Sequence, residues 1–133
     1  MKRFFILTAL MAVLGLSSCE KEPSKAIIGT WEAYTLEISA NGVKTSVDLN
    51  EANMVMLFTF KADGSGSSYV ETDGEGERST FEYEVFGDTL TMTIDGSTES
   101  LKITFEKDTL IAEIGENIIG QENVSIKLYF KKA

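Results

Sequence analysis

From Ile27 onward apolar and polar residues alternate, and no stretch sustains a helical period. Phe81, Tyr83 and Val85 alternate with Glu82 and Glu84, and Leu90, Met92 and Ile94 with Thr91, Thr93 and Asp95. Leu101, Ile103 and Phe105 alternate with Lys102, Thr104 and Glu106, and Val124, Ile126, Leu128 and Phe130 with Ser125, Lys127 and Tyr129. A period of two puts one face of each strand in a core and the other in water. The pattern predicts strands at 29–38, 43–48, 54–61, 67–73, 79–86, 89–95, 98–106, 109–115 and 123–132. Asn41-Gly42, the Asp63–Ser67 stretch, Gly87-Asp88, Asp95-Gly96 and Lys107-Asp108 supply tight turns between them. The spacing of Asp48 and Glu51 is that of a capping box and predicts one helical turn, and residues 115–123 predict a loop.

Short connections make successive strands antiparallel neighbours. The expected fold is therefore all-β, an antiparallel up-and-down meander of eight or nine strands. Closing it into a barrel removes the edges, and about eight strands enclose room for side chains or one small ligand. A two-sheet sandwich is the alternative, but it calls for longer crossing connections.

The first residues follow a different pattern. Lys2 and Arg3 precede an apolar run from Phe4 to Leu16 that is broken only by Thr8 and Gly15, and small residues follow. A bilayer span needs roughly 18 or more apolar residues, so this run reads as a signal helix, not a membrane span. Leu16-Ser17-Ser18-Cys19 resembles the lipobox of bacterial lipoproteins. That resemblance implies a signal peptide over 1–18 and a diacylglyceryl thioether on Cys19, the one cysteine of the chain. Residues 19–26 then form a lipidated polar tether holding the only proline, and 27–133 form the domain.

Charge narrows the functional classes. The 133 residues carry 12 Lys+Arg against 21 Asp+Glu, a formal charge of −9, and no histidine. No basic cluster marks the body, so a nucleic-acid partner is not expected. Without histidine there is no Ser-His or Cys-His nucleophile pair and no His-based zinc site, and one cysteine forms no internal disulfide. The chain is expected to be neither an enzyme nor a cofactor carrier.

At Gly29-Thr30-Trp31 a family pattern begins. Phe60-Lys61-Ala62-Asp63-Gly64, Tyr83-Glu84-Val85 and Gly87-Asp88-Thr89-Leu90-Thr91 follow in order. Together with the lipobox, the chain from Ile27 to Lys132 resembles the lipocalin-like lipoproteins of Gram-negative bacteria. The resemblance implies a lipocalin-like barrel anchored in the cell envelope, at the outer membrane, with periplasmic and surface-facing orientations both open. It also implies a cation packed over the tryptophan late in the last strands. No arginine is placed for this, and Lys127 or Lys131 is the expected substitute.

Several residues are candidates for chemistry. Trp31 would floor a ligand pocket or plug the closed barrel end. Phe58 or Phe60, Tyr83, Met92, Ile103, Ile114 and Leu128 should face inward and either line an apolar cavity or fill it, with Met54 and Met56 as an adaptable wall. Of these, Trp31, Phe60, Tyr83, Met92, Ile103 and Leu128 form the expected ligand-binding set. Asp73, Glu75, Glu77 and Glu84 match positions of a calcium loop, but Arg78 stands where that loop needs glycine, so no metal site is expected. Glu82 and Glu84 share the wet face of a strand, which explains them without catalysis. The expected function is that of a lipid-anchored envelope protein carrying a small apolar ligand. The alternative is a filled barrel that contacts a protein or polysaccharide partner.

Overall fold

The computed structural model describes residues 22–115 and 123–133. The signal segment, Cys19 and most of the 115–123 loop lie outside the described residues. A four-residue helix, α1 (Pro23–Ala26), leads into nine strands. These are β1 (Gly29–Ala40), β2 (Val43–Asp48), β3 (Met54–Phe60), β4 (Ser65–Thr72), β5 (Glu75–Phe86), β6 (Thr89–Ile94), β7 (Ser97–Glu106), β8 (Thr109–Ile114) and β9 (Val124–Lys132). The meander is the one expected, with boundaries shifted by a few residues, most at the start of β5. There Glu75–Arg78 lack the apolar alternation but pair with β4 from Thr72 to Tyr69.

Closure occurs between β1 and β9, from Trp31–Lys132 to Ala40–Val124. Eight strands, β1 and β3 to β9, thus form a closed antiparallel barrel with β2 as a ninth. The other edge of β1 is divided. Gly29–Glu32 pair with β3, and Thr35–Ala40 pair with β2. The division falls at a β-bulge, where Tyr34 is the extra residue between Ala33 and Thr35 in the pairing with β9. Its carbonyl accepts the Leu49 amide at 3.1 Å, where the chain leaves β2. The bulge also inverts the alternation. Trp31 and Ala33 face the core below it, whereas Leu36 packs against the core above it.

The β2–β3 connection is a single turn, as expected from its spacing. Asp48 Oδ1 accepts the Asn50 amide at 2.9 Å and the Glu51 amide at 3.3 Å. Within the expected tether, Pro23–Ala26 form the short helix α1. Proline at the first helical turn presets φ, and the Glu22 carbonyl accepts the amides of Lys25 and Ala26. The helix lies against β5, and Ile27 behind it is fully buried.

The two barrel ends differ. At one lie α1, the 61–64, 87–88 and 107–108 turns and the C-terminus. At the other lie the 41–42, 49–53, 73–74 and 95–96 turns. The first end is closed by aromatic rings: Phe60 meets Phe81 at 5.4 Å and Tyr83 at 5.0 Å between centroids, both edge-on. Gly66 permits this, because a Cβ there would collide with the Phe81 ring and the Thr59 carbonyl. Among the described residues, no buried side-chain polar atom lacks a hydrogen bond.

Candidate functional site

Above the aromatic floor the barrel keeps a cavity of about 460 Å³. Alternate residues along parts of β3, β6, β7, β8 and β9 build its wall, as the period of two requires. Met56, Phe58 and Phe60 come from β3, Leu90, Met92 and Ile94 from β6, and Leu110, Ala112 and Ile114 from β8. Leu128 and Phe130 complete the β9 side. The wall is apolar except at the start of β7, where Ser97 and Glu99 are exposed and mark the mouth beside the 95–96 turn.

Phe60, Met92, Ile103 and Leu128 of the expected set line this space, as does Ile114. Both Phe58 and Phe60 face it, since they are two positions apart on one strand. Met56 is part of the wall, and Met54 packs on the core beside it. The cavity exists because the upper wall is built of Met, Ile, Leu and one alanine, Ala112, whose short side chain leaves space unfilled.

Two members of the expected set stand apart from this wall. Trp31 is 3% exposed and lies outside the cavity wall. Its indole Nε1 donates to the Ile27 carbonyl at 2.8 Å, and its ring meets Phe105 at 5.9 Å. It is the plug of the closed end. Tyr83 is also displaced from the wall, because its hydroxyl donates to the Lys61 carbonyl and ties the ring to the 61–64 turn. Burial and the nearby Asp63 charge push its phenol above the ordinary value. In the same turn Asp63 accepts the Ser65 hydroxyl at 2.6 Å and the Ser65 amide at 2.9 Å, which hold its carboxyl below the usual range.

The cation over Trp31 is neither Lys127 nor Lys131 but Lys132, whose Nζ stands 4.4 Å from the ring centroid. Lys132 also donates to the Ile28 carbonyl at 2.7 Å. Strand parity could have found it: Lys132 shares the inward face of Leu128 and Phe130, whereas Lys131 faces out and meets Glu32 at 3.7 Å. Gly29 lies beneath this contact, and its backbone conformation is one that favours glycine. Its φ is +132°, and a Cβ there would collide with the Lys132 ammonium. Glycine and tryptophan two apart thus build one device, a stacked lysine laid across a bare backbone.

The acidic candidates separate. Glu75, Glu77, Glu82 and Glu84 are all exposed on β5, and Asp73 sits in the preceding turn. Among the described residues no group of carboxylates converges on a metal position.

The family model of the lipocalin-like domain matches residues 27–112. The chain belongs to the lipocalin-like domain family. A lipocalin-like protein from Bacteroides uniformis has a similar structure, with a TM-score of 0.56 at 17% identity. The match covers 81% of this chain and 99% of that one. An uncharacterized protein from Bacteroides eggerthii is similar with a TM-score of 0.52 at 15% identity, covering 80% and 99%. At these identities the likeness is one of fold. Comparison with curated proteins finds no match. In this lipocalin-like chain the family match takes in Gly29, Trp31 and most of the cavity wall, up to Ala112.

Proposed function

We propose that this lipocalin-like protein is a lipid-anchored lipoprotein of the cell envelope, held at the outer membrane through Cys19, whose barrel carries one small apolar ligand. The cavity carries the reading. Its 460 Å³ falls within the roughly 300–1,000 Å³ of small-molecule sites. Its wall offers dispersion contacts and desolvation, and polar groups only at the mouth, which suits an acyl chain or another apolar molecule with a polar end left in water. On this reading the protein holds and releases its ligand unchanged. Among the described residues no side chain occupies this volume, which favours the carrier reading over a filled barrel.

Two measurements test the reading. Native mass spectrometry of the protein purified gently from its host's envelope should show a discrete added mass that is lost on denaturation. A clean apo mass that persists after incubation with a host lipid extract would remove the carrier function. Separately, Cys19→Ser should abolish palmitate labelling and shift the protein from the membrane to the soluble fraction. An unchanged membrane fraction would remove the anchor.

A further inference from the structure

The closed end has properties that the cavity does not use. Among the described residues, the large apolar side chains left in water are Ile28, Val43 and Phe86. Ile28 and Phe86 are both at the closed end, and Phe86 is the extreme case at 85% exposed. It stands where β5 ends and the 87–88 turn begins, so its ring projects from the rim. Between α1 and the 107–108 turn lies a surface cleft of about 430 Å³, lined by Lys25, Ile28, Trp31, Phe105, Lys107 and Lys132 among others.

Charge divides the ends in the same sense. The described turns around the mouth carry Glu51, Asp73 and Asp95 and no lysine or arginine. The closed end carries Lys25, Lys61, Lys107 and Lys132, balanced by Glu22, Asp63, Asp88 and Asp108. Asp63 is turned back onto Ser65. In a chain of net charge −9, the closed end is therefore where repulsion from an anionic surface is lifted.

Chain length decides what this end meets. Glu22 is three residues beyond Cys19, and three extended residues reach at most about 11 Å. An acyl anchor on Cys19 therefore holds α1, and with it the closed end, against the headgroup layer.

We propose that the closed end of the barrel is a docking surface for the phospholipid leaflet that holds the anchor. Phe86 enters the headgroup layer, Lys25 and Lys107 place their ammonium groups on lipid phosphates at the mouth of the cleft, and the acidic cavity mouth is held away from the bilayer. Ligand then enters from the aqueous side or from a soluble partner, not by sliding out of the membrane. This inference rests on the acylation of Cys19.

The test uses the full, host-processed lipoprotein reconstituted in vesicles of phosphatidylethanolamine and phosphatidylglycerol with brominated acyl chains. Phe86→Trp and Val43→Trp each add an indole at opposite ends, and the wild-type protein supplies the baseline of Trp31. The docking predicts that most of the added F86W emission is quenched and blue-shifted, while the V43W emission stays red and unquenched. Protein that floats with the vesicles but shows no quenching in F86W overturns the docking and leaves the anchor standing. Quenching at both positions overturns the orientation. Protein that does not float overturns the anchor, and this docking with it.

Discussion

The two ends of this barrel are built from the same alternating strands, and they differ in what the inward positions hold. The closed end holds Trp31, Phe60, Phe81 and Tyr83, with Lys132 stacked on the indole. The other end holds Met56, Ile94, Leu101, Ala112 and Ile114 around a void. Rings interlock edge to face and fill space, whereas aliphatic chains on a fixed circumference meet only if they are long enough. The difference shows that closure and cavity are separate decisions. Backbone pairing fixes the circumference, and side-chain volume at each level then determines whether the interior is packed or vacant.

The contrast predicts that substitutions at the two ends have unequal effects. Trp31→Ala should be the most damaging, costing about 3–5 kcal/mol in denaturant unfolding, because it empties the plug and strands the Lys132 stack. Lys132→Ala removes the stacked cation and its bond to the Ile28 carbonyl, and should cost about 1–2 kcal/mol. Lys132→Arg should retain most of the stability, since a guanidinium also stacks on an indole. At the other end, Ala112→Phe places a ring into existing space, so its cost should stay under about 1.5 kcal/mol. A loss as large as that of Trp31→Ala would erase the distinction between the ends.

The smallest effect is in pH dependence. The Tyr83 phenol is raised above its ordinary value of about 10 by burial and by Asp63. The native state thus favours the neutral phenol. Its contribution is fully present below the unfolded pKa and is lost as pH rises through the higher folded value. Unfolding of wild-type protein and Tyr83→Phe across the alkaline range should show a shallower fall for the variant. Parallel curves would place the alkaline sensitivity elsewhere.

How far the sequence was legible follows from which signals are local. Alternation and turn pairs are local, and they located every strand, including the type I′ positions Asn41 and Gly42 at φ 52° and 80°. The Tyr34 bulge was not legible in that way. It shows only as a phase change between Trp31–Ala33 and Leu36–Ile38, and its meaning depends on β9, distant in sequence. The expected ligand-binding set separates for a similar reason. Parity points Phe60, Met92, Ile103 and Leu128 inward, but it does not report which inward rings are held aside by a hydrogen bond. Polar tethers separate these from Trp31 and Tyr83, which share the inward phase but are tied by their ring N–H and O–H to the Ile27 and Lys61 carbonyls. The choice of Lys127 or Lys131 over Lys132 was a parity error that the alternation of β9 could have prevented.

The most direct test of the central claim is a titration of wild-type protein and Ala112→Phe with an apolar fluorescent probe such as N-phenyl-1-naphthylamine, alongside their thermal unfolding. The account predicts saturable binding of one probe per wild-type chain and loss of that binding in the folded variant. Equal binding by both proteins would place the probe on the outer wall and contradict a carrier cavity.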